Sequence, residues 1–261
     1  MMDSRLRKKR IHDLLYWTLP FLAVGLVVVA WIWFSSVHPE LMPGPAAVWE
    51  RMIRTFTKPI GRVNLLGHAW ASLKRVLMAL LFAWTFGISF GILIGWNKTA
   101  RAIVGSIFEV IRPIPPIAWI PLIIMWFGIG ELAKILIVFI GTFVPLVINT
   151  STGIRMVDPI NMDVGKVFGG SRMQILMEIV VPTALPSIFA GIRTSVSSGW
   201  TTVLAAEMLG ATAGLGSMVT KGWNGGDMAL VMVAVITIAI VGFMLSSALS
   251  KLEKVVCPWN N

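Results

Sequence analysis

Cysteine is almost missing from this sequence. The single Cys257 in 261 residues rules out an internal disulfide framework and any cysteine-based zinc site. Histidine is nearly as scarce: His12, His38 and His68 lie far apart and show no metal-ligand spacing. No G-x-x-x-x-G-K-[ST] phosphate loop occurs; the stretch from Gly91 to Thr99 comes nearest and fails the pattern. Neither H-E-x-x-H nor G-x-S-x-G is present. Charge is short as well. Asp, Glu, Lys and Arg make up 13% of the chain, against about 25% in soluble domains. These shortages leave no catalytic residue, no metal ligand set and no site for hydrolysing ATP on this chain.

What fills the sequence is apolar. Hydrophobic residues are 56% of the total and the mean hydropathy is +0.82. That composition describes an all-α polytopic membrane protein rather than a soluble domain with an anchor. The net charge of +10 does not point to nucleic acid, because the cations sit between apolar runs, where they report membrane topology.

The apolar runs predict six transmembrane helices. Residues 1–13, with Arg5, Arg7, Lys8, Lys9 and Arg10, read as a cytoplasmic basic tail, with lipid recognition as the alternative. Residues 14–36 form the first span, too long for a signal-peptide core and followed by no cleavage site. Residues 37–68 form a periplasmic segment in which Val48, Met52 and Phe56 fall at i, i+4 and i+8, an amphipathic surface helix. It reads either as interfacial or as part of a docking face for an external partner. A core at 69–250 carries five more spans, near 69–96, 102–127, 132–150, 185–206 and 228–249, and 251–261 returns to the cytoplasm. Both termini are thus expected inside. Twelve Lys/Arg fall on the side read as cytoplasmic and eight on the other, a bias of the right sign.

Several positions inside the spans stand out. Gly87, Gly91 and Gly95 recur every fourth residue, a spacing that lets helices approach closely, within one subunit or across a dimer seam. The third span contains Pro113, Pro115, Pro116 and Pro121, so it must be kinked or broken. Glu109 and Arg112 are i, i+3 and can pair, either as a structural ion pair or as part of a translocation path. Arg193 can snorkel to the cytoplasmic face or hold a carboxylate such as Glu109. Trp17, Trp31, Trp33, Trp49, Trp70, Trp96 and Trp259 fall near span ends and suit interface belts. Trp119 and Trp200 fall within spans and are read either as core or as path lining. The glycine-rich stretch 207–227 reads as an outer loop, in part re-entrant.

Between the fourth and fifth spans lies the densest set of helix signals, in the loop 151–182. Asp158-Pro159 reads as an N-cap followed by proline at the first helical position. Gly169-Gly170 breaks that helix, and Ser171 to Gln174 fits a capping box that starts another. Val181-Pro182 is expected to stop the second helix. The result is a compact two-helix knob with Val164, Val167, Phe168, Met173, Ile175 and Leu176 as exposed apolar candidates, shaped to seat in another protein's groove.

The spacing here is Asp163-Val164-Gly165, three residues, Gly169, nine residues, then Ile179-Val180-Val181-Pro182. It resembles the "EAA, three, Gly, nine, Ile-x-Leu-Pro" loop of ABC-importer permeases. Asp163 stands in place of Glu, Val164-Gly165 in place of Ala-Ala, and Val181 in place of Leu. RPIPPIAWIPLIIMWFGIGELAKI (Arg112 to Ile135) and GIRTSVSSGWTTVLAAEMLGATAGLG (Gly191 to Gly216) are similar to the nitrate/sulfonate/taurine branch, nearest to taurine and alkanesulfonate permeases. The resemblance covers roughly residues 70 to 250.

The resemblance implies the type I ABC importer permease fold, six spans with a two-helix cytoplasmic coupling loop, in the cell inner membrane. It implies ATPase-coupling roles for Asp163, Val164, Gly165, Phe168, Gly169, Ile179, Val181 and Pro182. It implies an ATPase dimer at the cytoplasmic face, where ATP and Mg would be bound, no cofactor on this chain, and a periplasmic binding protein outside. Six helices make a thin wall for a pore, so a second copy of the chain, a homodimer, is expected. The implied cargo is a small anion, taurine or another sulfonate, with nitrate, bicarbonate or another small organic acid as alternatives. A secondary transporter is the competing class, against which stands the lack of a visible inverted repeat.

Overall fold

The computed structural model describes residues 2–256, with side chains from residue 18 onward except Pro20. Cys257, Trp259 and the remaining C-terminal residues lie outside the described residues, as do the side chains of Trp17 and the basic tail. Among the described residues ten helices follow one another: α1 (Met2–Val37), α2 (Pro45–Thr57), α3 (Leu65–Trp96), α4 (Lys98–Ile111), α5 (Pro116–Phe127), α6 (Glu131–Arg155), α7 (Pro159–Val167), α8 (Arg172–Met208), α9 (Leu215–Asn224) and α10 (Met228–Val256). Among the described residues there is no strand, only an isolated bridge between Ile60 and Val63.

Among the described residues four helices, α3, α6, α8 and α10, are long and apolar enough to cross a bilayer, and the bent pair α4 and α5 makes a fifth if it counts as one broken span. In α1 the described apolar stretch is Phe21–Val37. The third span is therefore two helices rather than one kinked helix, and they meet at 88°. The chain has no choice there. Pro113, Pro115 and Pro116 each lack an N–H, and residues preceding proline are pushed out of the α region, so Pro115 is extended (ψ 141°).

The core is a three-helix sandwich with α6 in the middle. Gly87, Gly91 and Gly95 of α3 face α6; a Cβ there would lie 3.1, 2.6 and 2.8 Å from Leu146, Thr150 and Ile154. The glycine stripe is thus a seam within one chain. The other side of α6 meets α8 by the same device: Gly141 against Thr202, Gly153 against Ser187, Gly191 against Asn149 and Gly199 against Thr142, all at 2.5–2.8 Å for an added Cβ. In an apolar solvent helices gain little from hydrophobic burial, so this backbone proximity and its dispersion contacts hold the bundle. Val76, Val138, Leu146 and Val203 are fully buried between the three helices.

Two expectations need correction. The helix that starts at Ser171 does not stop at Pro182; it continues through Pro182 and Pro186 to Met208. A π-helical turn at Ile175–Val180 shifts the hydrogen-bond register just before Pro182, which relieves the clash that proline makes with the carbonyl four residues back. On α2, the buried face is Val48, half-buried Met52 and Thr55, not Phe56, which is exposed. The buried positions follow i, i+4, i+7, nearer to 3.6 residues per turn than i+8 is. The helix packs on α10, tied by Arg51 Nε to Asp227 Oδ2 at 2.7 Å.

Candidate functional site

The loop between α6 and α8 is built almost wholly by local hydrogen bonds. Asp158 Oδ1 accepts the Ile160 N–H at 2.9 Å and starts α7, with Pro159 at the first position. The helix ends in a Schellman arrangement: the Gly169 N–H reaches Lys166 O at 2.9 Å and the Gly170 N–H reaches Gly165 O at 3.0 Å. Gly169 has φ +78°, the left-handed region in which side-chain-bearing residues are strained. The next helix opens at once. The Gln174 N–H donates to Ser171 Oγ at 3.3 Å and the Ser171 N–H donates to Gln174 Oε1 at 2.9 Å, the reciprocal capping box.

Gly165 explains the spacing of the motif. It is buried where α7 crosses α8, and a Cβ there would lie 2.7 Å from Ile179 Cδ1 and 3.1 Å from Ile175 Cγ1. Glycine lets the two helices touch without displacing either isoleucine. Asp163 pairs with Lys166 on the exposed face at 2.8 Å. Val167 and Phe168 stand out from the elbow, 85% and 86% exposed, and Val164 and Met173 are exposed beside them. Ile175 and Leu176, expected on this surface, are buried, because α8 turns its first apolar face inward toward the core. Ile179 and Val181 are half-buried and Pro182 is exposed. The loop therefore gathers Asp163, Val164, Phe168 and Gly169 on one outward face, with Gly165 and Ile179 as the joint beneath it.

The other singled-out residues do not converge. Arg112 Nη2 lies 2.8 Å from Glu109 Oε2, at the bend between α4 and α5. Trp119 lines an almost wholly apolar pocket with Phe90, Phe108, Phe139 and Phe143. Trp200 is buried between α8 and α10; its Nε1 donates to Ile238 O at 3.2 Å and its ring packs on Gly242. Arg193 pairs with Glu253, not Glu109.

At the end of the bundle opposite the loop, the structure holds a buried ion network that sequence reading passed over. Arg75 of α3 is 4% exposed. Its Nε and Nη2 grip Glu131 of α6 in a fork, each at 2.7 Å, while Nη1 donates to Glu207 Oε1 at 2.6 Å and to Ala213 O at 2.8 Å. The other Glu207 oxygen accepts from Ser72 Oγ at 2.8 Å and from the Gly216 N–H at 3.0 Å. His68 accepts the Gly214 N–H on Nδ1 at 3.0 Å, which assigns the ring proton to Nε2, donated to Ile60 O at 2.9 Å. The glycine-rich stretch expected to be a loop is thus pinned to α3 and α8, and Leu215–Asn224 within it is the helix α9. Gly214 and Gly216 are required there because a Cβ on either would run into Glu207 or Leu204 O at 2.3 Å. One sequence signal was available: His68, Ser72 and Arg75 fall at i, i+4 and i+7, a polar stripe along a mostly apolar helix.

Fold and loop together define a multi-pass helical membrane protein that presents a rigid apolar elbow at one end of its bundle. The comparisons sharpen that class. Residues 87–255 match the family described as binding-protein-dependent transport system inner membrane component. The taurine transport system permease protein TauC of Escherichia coli (strain K12) is 34% identical, over 100% of this chain and 98% of that protein. The nitrate import permease protein NrtB of Synechocystis sp. is 32% identical, over 92% of this chain and 89% of that protein. A chain from the inward-facing MetNI methionine ABC transporter shares the fold, with a TM-score of 0.64 at 20% identity, over 79% of this chain and 98% of that one. The chain belongs to the binding-protein-dependent inner membrane component family, the integral membrane permease subunits of ABC importers.

Proposed function

We propose that this chain forms the translocation path of an ATP-driven importer for a small anion, taurine or another sulfonate, delivered by a periplasmic binding protein. The proposal places loop 151–182 and both termini at the cytoplasmic face, where an ATPase dimer holding ATP and Mg docks. It takes two copies of the chain to enclose the path. The observation that carries it is the elbow: two large apolar side chains, Val167 and Phe168, almost wholly exposed on a backbone fixed at both ends by caps. Leaving such groups in water costs about 1.5–3 kcal/mol each relative to burial. A locally rigid apolar projection of this kind suits the groove of a partner. The joint at Gly165 and Ile179 makes α7 and α8 turn together, so a push on the elbow acts as a lever on α8.

Family membership supports the coupling role, and the 34% identity to a taurine permease over the whole chain supports the sulfonate. The nitrate permease at 32% supports nitrate as the second reading of the cargo. The test is co-purification and uptake. Phe168→Glu is expected to lose ATPase association and uptake while membrane insertion stays intact; unchanged association would overturn the docking assignment. Uptake of labelled taurine against labelled nitrate, by the chain expressed with its partners, decides the cargo.

A further inference from the structure

The outer ion network is fully partnered: the Arg75 head group, both Glu207 oxygens and both ring nitrogens of His68 have hydrogen-bond partners, which describes a clamp rather than a vacancy for a ligand. The opposite is true at the loop end. There α3, α4 and α6 converge around a cavity of about 190 Å³ lined by Arg101, Gly105, Ser106, Glu109, Ser151 and Arg155.

Charge is unbalanced around this cavity. Glu109 is the one carboxylate on its wall, and it is already held by Arg112 at 2.8 Å. Arg101 and Arg155 then remain without an anionic partner among the described residues. Both are nevertheless held in place. Arg101 Nε donates to Ile94 O at 2.8 Å and its Nη2 to Gly95 O, the last carbonyls of α3. Arg155 Nε donates to Ser151 O at 3.3 Å and its Nη2 to Thr152 Oγ1 at 3.5 Å. A guanidinium has five N–H donors, so each still has donors to give; Arg101 is the more firmly held, while Arg155 is exposed and its two contacts are long. Ser106 and Ser151 add hydroxyls, each of which already donates to a carbonyl of its own helix. A bound oxyanion would be met chiefly by arginine donors.

The backbone is shaped for the same purpose. Arg101–Gly105 is a π-helical turn, a local widening that costs stability and recurs at functional sites. It carries Arg101 back over the end of α3. Gly105 is buried beside it, and a Cβ there would lie 3.3 Å from Arg101 Cγ, so a branched residue such as valine would crowd the arginine's stem. The space is open on one side, so it takes a small oxyanion group, free or at the end of a larger molecule, without enclosing it.

We propose that this cavity binds one small oxyanion group, a sulfonate, sulfate, carboxylate or phosphate, between Arg101 and Arg155. The site needs no particular cargo. It rests on the anion-permease reading only where the transported anion is named as one source of the group; the other source is the phosphate of an anionic lipid, whose chains would lie along the exposed Ile103, Val104 and Ile107 of α4. Arg155 closes α6 and lies three residues before the Asp158 cap of α7, so the occupant would sit at the root of the loop.

The test uses the full chain, with thermal unfolding followed on tryptophan fluorescence. Sodium sulfate is titrated in detergent against sodium chloride of matched ionic strength. In parallel, the midpoint is compared in bilayer discs of phosphatidylcholine and of phosphatidylglycerol, without sulfate. A saturable rise with sulfate is expected, weakened roughly tenfold or more in Arg155→Gln and in Gly105→Val, the scale of one lost charge-assisted hydrogen bond. Arg62→Gln, an exposed cation at the other end, should respond as the parent does. A rise confined to phosphatidylglycerol discs and lost in the same two variants would support the site with lipid phosphate as its source. No response in either arm, or a parental response in both variants, would overturn the proposal. Uptake and ATPase association of the parent are read separately, so failure of the site and failure of the importer assignment remain distinct.

Discussion

Glu207 is the most constrained residue of the molecule: fully buried, bonded to Arg75, Ser72 and the Gly216 amide, and touching the space where two glycines lack side chains. Burying its charge is favourable only while Arg75 is in place. Arg75→Ala should cost about 3–5 kcal/mol, because it strands the buried Glu207; Glu207→Ala should cost less, because Arg75 keeps its fork to Glu131 and its bond to Ala213 O. The double replacement Arg75→Met with Glu207→Met should cost less than the sum of the single changes, read by chemical or thermal unfolding in detergent. Glu131 differs, since its side chain is 60% exposed. Glu131→Gln should cost clearly less, about 1 kcal/mol, in the range of partly solvated ion pairs. None of this was visible in sequence beyond the polar stripe on α3, because the partners lie 56 and 132 residues away and only packing joins them.

At the scale of elements, the loop 151–182 was the most legible part of the chain. Its cap, its elbow and its capping box depend on neighbours within five residues, and each was readable from residue type alone. Replacing Gly169, whose φ is +78°, with alanine should cost about 1–2 kcal/mol locally. The expected readout is faster protease cleavage near the elbow with little change in the global unfolding midpoint. Proline was read well in one place and badly in another. At the α4–α5 bend several prolines close together leave no register in which a helix can continue. At Pro182 a single proline was accommodated by a π-turn, a choice made by the packing of Ile175, Leu176 and Val180 against the core, not by local preference. The glycine stripe on α3 was recognised as a seam, but its partner, α6, could not be chosen without the fold. Gly91→Val should overpack that seam by about 1–3 kcal/mol and lower the unfolding midpoint, since an added Cβ would meet Thr150 at 2.6 Å.

On the scale of the whole molecule, the described chain exposes apolar surface in two distinct settings. Phe21, Val24, Leu26 and Val27 of α1, or Phe243 of α10, suit a lipid environment, whereas Phe168 stands at the tip of the elbow beside the ion pair of Asp163 and Lys166. Detergent extraction should therefore leave the elbow, alone among the apolar surfaces, open to aqueous reagents. A cysteine placed at Phe168 is expected to react rapidly with a membrane-impermeant maleimide in the free chain. Addition of the ATPase should slow that reaction, and an unchanged rate would argue against contact there.

Helix α8 joins the two ends of this architecture without a break. It begins at the Ser171 cap beside the elbow and ends at Met208, one residue past Glu207, 37 residues in all. At 1.5 Å per residue that is about 55 Å of continuous helix. Pivoting about its elbow end, a tilt of a single degree swings the other tip by about 1 Å, a third of a hydrogen-bond length. Whatever turns the near tip thus reaches the Arg75 clamp through one helix, less only what the π-turn at Ile175–Val180 and the prolines Pro182 and Pro186 beside it take up.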